Sequence, residues 1–181
     1  SAEGRICGII CVICVWGEIT HWKAKNPYSE KEWLNSYNDF LQSDALQNQE
    51  DWLSRTHILY STEYLPVGYF TITLDTLHKG RLALSDKIAD YPYQKYPAVK
   101  LARLAVDRRF QNRGIGKLLM KHFFIAAYTL MKEGGGRFIT VDAKNSALGF
   151  YQKFGFRVVP SQKNNEIVSM YLDFRKYYQK E

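Results

Sequence analysis

The sequence has no apolar run long enough to cross a bilayer. The longest, Ile6 to Trp16, falls short of the roughly 20 residues a spanning helix needs and is interrupted by Gly8. Arg5 is the lone positive charge ahead of it and no small-residue cleavage pattern follows, so the run reads as a buried strand rather than an export signal. Ser1-Ala2 stand where an initiator Met is usual, which leaves the natural start open. Cysteine is scarce too: Cys7, Cys11 and Cys14 all lie in that one run. An odd thiol count excludes a closed disulfide framework and points to a reducing, cytoplasmic setting. Their Cys-x3-Cys-x2-Cys spacing, with His21 as a fourth candidate ligand, is one that iron–sulfur enzymes use. Ile and Val surround them, however, where a cluster site needs a polar loop. They are expected to be reduced packing thiols, with no metal.

Other signatures are missing as well. Neither Gly-x-Gly-x-x-Gly nor Gly-Lys-Ser/Thr occurs, which sets aside the dinucleotide and P-loop fingerprints. There is no internal repeat and no low-complexity tract. What is present suits one domain with a sizeable core: 181 residues, 46% hydrophobic, with thirteen tyrosines. A net charge of +7 favours an anionic ligand or partner.

Periodicity divides the chain. Ser29 to Glu32 form a capping box, and Trp33, Tyr37, Phe40 and Leu41 follow at helical spacing, so a helix is expected over 29–42. A second helix is expected over 44–54, then a hairpin of Thr56 to Ser61 and Val67 to Leu74 turning at Pro66. Residues 76–98 form an insertion with a short helix over Leu82 to Ala89, placed to wall a substrate groove. A strand over 99–106 leads to a helix over 115–133, whose core face is read as Leu118, Leu119, Phe123, Ile125, Ala126 and Leu130. Gly134 to Gly136 stop it. A strand Phe138 to Val141, a short helix capped by Asn145 or Ser146 and stopped by Gly155, and a closing pair Phe156 to Val159 and Ile167 to Phe174 complete an α/β layered domain.

The centre of the chain carries the chemistry. An apolar strand ends at Asp107, and a basic turn holding Gln111-x-x-Gly114-x-Gly116 opens the long helix. Glycines at a helix mouth let the backbone approach a bulky anion, and the first N–H groups and the dipole hold it. Arg108, Arg109, Arg113 and Lys117 surround this turn. Further on, Val141 to Phe156 encloses Phe150-Tyr151-x-x-x-Gly155-Phe156.

These two segments, in this order, resemble the two hallmarks of the GNAT-type N-acetyltransferases, over about 56–174. The resemblance implies a mixed, mostly antiparallel central sheet with helices on both faces and a splayed cofactor-binding strand pair. It implies acetyl-CoA as acetyl donor. Backbone groups of Leu104, Ala105 and Val106 would pair with the pantetheine arm. The amides of Gln111, Asn112, Arg113, Gly114, Ile115, Gly116 and Lys117 would take the pyrophosphate, and Asn145 would touch the cofactor. Tyr151 would serve as general acid; packing beside Phe150 and Phe154 is its alternative. The chemistry agrees: a phenol near its ordinary pKa of about 10 can protonate a departing thiolate whose thiol lies near about 8.5. No general base stands out; Asp142 and Glu63 are candidates, while His57 sits in an apolar strand and reads as packed.

The Leu101 to Gln111 segment, with Asp39-Phe40-Leu41 and Ala45 to Gln49, also resembles the branch containing tRNA-acetylating toxins. Such proteins acetylate the amine of an aminoacyl-tRNA and pair with a small antitoxin. The N-terminal run and residues 76–98 depart from that branch. The expected acceptor is therefore a primary amine, with aminoacyl-tRNA as the alternative; a homodimer is left open and no membrane is involved. A non-catalytic acyl-CoA sensor is the alternative of another kind, opposed by Tyr151 and the intact glycine pair.

Overall fold

The computed structural model describes residues 6–11, 40–62, 65–160 and 166–178. Cys14, His21, the Ser29–Glu32 capping box, Glu63 and the 161–165 turn lie outside the described residues. Strands hydrogen-bond in the order β1-β2-β3-β4-β5-β7-β6. They are β1 (Ile6–Cys11), β2 (Arg55–Ser61), β3 (Pro66–His78), β4 (Lys95–Val106), β5 (Phe138–Lys144), β6 (Arg157–Val158) and β7 (Ile167–Asp173). Pairing is antiparallel for β1–β2, β2–β3, β5–β7 and β6–β7 and parallel for β4–β5, giving the mixed, mostly antiparallel sheet expected. The helices are α1 (Ala45–Glu50), α2 (Ile115–Gly134), α3 (Leu148–Gln152) and α4 (Phe174–Tyr178).

The chain divides into two compact units. The first comprises Ser1–Ile72 and Arg103–Phe123. Phe40–Asp44 form a π-helical turn that runs directly into α1, joining the end of the helix expected over 29–42, whose residues 29–39 lie outside the described residues, to the start of the one expected over 44–54, which ends early at Glu50. Phe40, Ala45, Ile58 and Tyr69 form its core, joined by Leu41, Tyr60 and Ala105. Thr56 and Thr71, opposite each other on β2 and β3, share a buried hydroxyl hydrogen bond of 2.9 Å. His57 stacks on Phe70 at 4.6 Å; burial foremost, then the charges of Arg55 and His122, hold its pKa below the ordinary value. It is the packed residue expected.

The second unit comprises Thr73–Ala102 and Phe124–Glu181. Leu77, Leu82, Tyr96, Ala98, Phe138, Val159 and Tyr171 form one core cluster, and Phe124 packs against Phe154, Phe156, Phe174 and Tyr177. The insertion is shorter than expected and holds no α-helix over 82–89. β3 runs on to His78 and β4 begins at Lys95, leaving two 3-10 turns, Lys79–Arg81 and Leu84–Asp86, between them. The cause is long-range. Buried Asp86 accepts from the Tyr171 hydroxyl at 2.8 Å and pairs with Lys176 at 2.8 Å and Arg157 at 3.1 Å, so the segment is tied down point by point.

Helix α2 has the expected span, and Gly135 just beyond it takes a left-handed φ of +76°. Its core face differs. Ile115, Leu119, Met120, Phe123, Phe124, Ala127 and Met131 are buried, whereas Ile125 and Leu130 are 63% and 44% exposed. At about 100° per residue, counting every apolar position mixes two faces of the cylinder.

Candidate active site

In the first unit, β4 ends with Leu104, Ala105 and Val106, all half-buried. Ala105 packs on the Phe40 cluster, and Asp107 N–H donates to Val67 O at 2.8 Å. Asp107 then caps a 3-10 turn, Arg108–Phe110, by accepting from the N–H of Arg109 and pairing with its guanidinium, both at 2.8 Å. Burial alone would raise the Asp107 pKa, but hydrogen bonds from Arg109 and its charge carry it below the ordinary value.

The turn that follows is braced from inside. Gln111 donates its N–H to Arg108 O and its side-chain amide to Val106 O at 3.0 Å, so this residue ties the turn to the strand end. Asn112 and Gly114 have φ of +60° and +81° on either side of Arg113. Such alternation turns successive amides toward one concavity that suits an anion. A β-carbon on Gly114 would meet nothing within 4 Å, so the glycine is required for backbone conformation. Leu118 N–H donates to Gly114 O, the first bond of α2. The N–H groups of Ile115, Gly116 and Lys117 precede it and have no partner within the helix. Buried Ile115 anchors this mouth, while Arg113 and Lys117 are exposed. The arrangement fits a diphosphate.

In the second unit, the parallel ladder of β4 and β5 runs from Ala98↔Phe138 to Leu101↔Val141. β4 continues to Val106 and β5 to Lys144, but no further β4–β5 pair is formed among the described residues. Tyr151 lies in α3 and is 7% exposed. Its ring meets Phe150 and Phe156 edge-on at 5.2 and 5.7 Å, and its carbonyl accepts from Phe154 and Phe156 N–H. Gly155, at φ +86°, completes the stop. Asn145 opens a 3-10 turn, exposed, with its N–H on Glu166 O. Neither it nor Ser146 caps α3, whose N-cap is Ala147.

Asp142 is engaged. Lys100 pairs with it at 2.6 Å and Ser169 donates to it at 2.6 Å. Burial would raise its pKa, but these bonds and the charges of Lys100 and Arg81 hold it below the ordinary value. It is thus a poor base. Sequence reading also missed its surroundings, a pocket of about 150 Å3 whose lining includes Asp75, Arg81, Lys100, Thr140 and Ser169. The available sign was Lys100, a lone charge in the apolar stretch before Leu101. Among the described residues no group of three His, Cys, Asp or Glu side chains is placed to hold a metal ion, and no helix is long and apolar enough to cross a membrane.

Comparison with known proteins gives one family match, one sequence relative and three solved structures. A family model for the acetyltransferase (GNAT) domain matches residues 25–174. A tRNA-acetylating toxin of Mycobacterium tuberculosis (strain ATCC 25618 / H37Rv) is 28% identical over 130 residues, 70% of this chain and 75% of that protein. Among solved structures, AtaTR bound with AcCoA has a TM-score of 0.66 at 26% identity, over 80% of this chain and 84% of that one. AtaT complexed with acetyl-methionyl-tRNAfMet has a TM-score of 0.70 at 24% identity, over 80% and 85%. A Tyr-to-Phe variant of AtaT, bound to the C-terminus of the antitoxin AtaR, has a TM-score of 0.67 at 20% identity, over 95% and 96%.

Proposed function

The chain belongs to the acetyltransferase (GNAT) domain family, and from that premise we propose that Tyr151 and the Gln111–Lys117 turn carry its chemistry. The enzyme moves an acetyl group from acetyl-CoA to an amine. The carrying observation is the braced turn at the mouth of α2, where Gln111 is tied to Val106 O and Gly114 sits at φ +81°. Amides from Asn112 to Lys117 hold the pyrophosphate, with Arg113 and Lys117 adding charge. Backbone groups of Leu104, Ala105 and Val106 take the pantetheine arm as an added strand.

A neutral amine attacks the thioester carbonyl. The oxyanion is stabilised by a main-chain N–H near the β4 end, at Leu104 or Ala105. Collapse breaks the C–S bond, the Tyr151 hydroxyl gives its proton to the leaving thiolate, and the proton shed by the amine nitrogen as it becomes an amide restores the phenol. That AtaT was solved with a tyrosine replaced by phenylalanine is in keeping with such a role. Asn145 contacts the cofactor from the 3-10 turn that precedes α3.

AtaT was solved with acetyl-methionyl-tRNAfMet and with the C-terminus of the antitoxin AtaR, and for this chain an aminoacyl-tRNA acceptor is the second reading, favoured by its net charge of +7. An antitoxin partner and a cytoplasmic setting belong to that reading. The test is release of thiol from acetyl-CoA with charged tRNA and with free amines in parallel. Transfer to any acceptor, lost in Tyr151→Phe, supports the proposal. Tight CoA binding with no transfer to any acceptor points instead to a sensor.

A further inference from the structure

The strand assigned to the cofactor arm carries one cation that the steps above leave unused. Arg103 precedes Leu104 on β4 and is half-buried. By alternation its side chain shares a face of the strand with that of Ala105. Its guanidinium carbon lies 4.0 Å from the centroid of the Phe40 ring, and Ala105 packs against the same Phe40 cluster. Phe40 is 4% exposed, so a buried aromatic face holds the guanidinium alongside Ala105. All three residues belong to the first unit.

No anion balances this charge among the described residues, where Arg103 makes neither hydrogen bond nor ion pair. The Phe40–Asp44 turn and α1 carry Asp44 and Glu50, β2 carries Arg55 and His57, and β3 has no charged residue from Pro66 to Ile72. Arg55 and His57 alternate with Ile58 of the Phe40 cluster and so stand on the opposite face, where Phe123 of α2 meets Phe70. Further along β4, Asp107 is matched by Arg109. A guanidinium keeps its charge throughout the pH range of a folded protein. A like charge nearby disfavours the charged form of a titratable group. An amine that reaches the thioester carbonyl at Leu104 or Ala105 enters the field of Arg103. Its ammonium form is repelled, and its proton leaves to water before the neutral form settles.

We propose that Arg103 is a specificity-determining residue that bars the ammonium form of the acceptor from the attack position. Bound amine is thereby kept nucleophilic without a general base. The proposal rests on the acetyltransferase reading above and on the place of Leu104 and Ala105 in it. Two acceptors of similar size test it: fluoroethylamine, mostly protonated at neutrality, and trifluoroethylamine, mostly neutral. Arg103→Met keeps an apolar cover on Phe40 and removes the charge. At pH 7 the ammonium should then enter as an unreactive occupant. For fluoroethylamine, kcat and KM should fall together by about tenfold and kcat/KM should hold. Both constants for trifluoroethylamine should stay at parent values, and Arg103→Lys, which keeps the charge, should behave as the parent. Added salt should move the parent toward the Met variant with fluoroethylamine, a measurement that needs no substitution. A loss of kcat/KM shared by both amines would assign Arg103 to the fold or the oxyanion and overturn the proposal, as would constants unmoved by substitution. Either result leaves the acetyltransferase reading standing. A parent that transfers acetyl to neither amine nor to charged tRNA overturns both.

Discussion

A β-carbon on Gly68 would lie 2.6 Å from the carbonyl oxygen of Ala105. It would also stand 3.0 Å from Leu119 Cδ1 and 3.3 Å from Val106 Cα, so β3 approaches the end of β4 as closely as backbone allows. That stretch of β4 carries the groups assigned to the pantetheine arm. Gly68→Ala should therefore move Leu104 to Val106 as well as strain the strand pair. The expected outcome is a loss of about 1–3 kcal/mol in stability and a raised KM for acetyl-CoA, read by thermal denaturation and kinetics. A variant that loses stability while keeping that KM would detach the strand end from cofactor binding.

Gln111→Ala removes the amide that donates to Val106 O. Since Gln111 is exposed, little core is lost. The fold should survive with a cost of about 1 kcal/mol, while acetyl-CoA binding weakens because Asn112 and Gly114 lose their brace. Gly114→Ala tests the same turn from another side: no atom blocks the methyl, but a φ of +81° costs an L-residue about 1–2 kcal/mol. Calorimetry with CoA should show weaker binding in both, and full affinity in both would remove the turn from the cofactor site.

Tyr151→Phe keeps the ring that packs against Phe150 and Phe156 and deletes the hydroxyl. If the residue is only packing, melting temperature and kcat should both stay close to the parent. As general acid its loss should lower kcat by about 10²–10⁴-fold, with the KM for acetyl-CoA changed little. Leaving-group substitution separates the two further, since a donor with a more acidic thiol should recover much of the loss.

Local chemistry was legible in the sequence. The turn at Gln111 to Gly116, the span of α2 and the Gly155 stop depend on residues within one stretch of chain, and they stand where their spacing put them. Features that depend on distant partners were not. Asp75 reads as a strand breaker until Thr140, on β5, donates to it, which is why β3 was expected to stop at Leu74. Asp142 looked like a free carboxylate because Lys100 and Ser169 approach from two other strands. The polar pocket shares that cause, being assembled from five separate segments. The α2 core face was read only in part, at Leu119 and Phe123, for another reason: helical periodicity gives the width of a stripe but not its phase, which buried Ile115 and Met131 reveal only in place.

Acid should unfold this protein through its carboxylates, Asp86 among them. It is 2% exposed, and burial alone would raise its pKa. Hydrogen bonds from Lys176 and Tyr171, with the charges of Arg157 and Lys176, instead carry it below the ordinary value of 3.8. A folded-state pKa below the unfolded one contributes stability that is complete above the unfolded value and disappears as pH falls through the folded one. Asp107 and Asp142 are shifted in the same direction, so they add to the loss over the same range. Stability to urea should accordingly hold from neutrality down to pH about 5 and fall steeply below about 4. Asp86→Asn retains an acceptor for the Tyr171 hydroxyl but removes the charge that Lys176 and Arg157 neutralise. It should cost about 1–3 kcal/mol at pH 7 and flatten the acid limb, because one titrating contribution is gone. Urea midpoints across pH 3 to 7 for parent and variant decide it, and parallel acid limbs would show that Asp86 does not set the pH response.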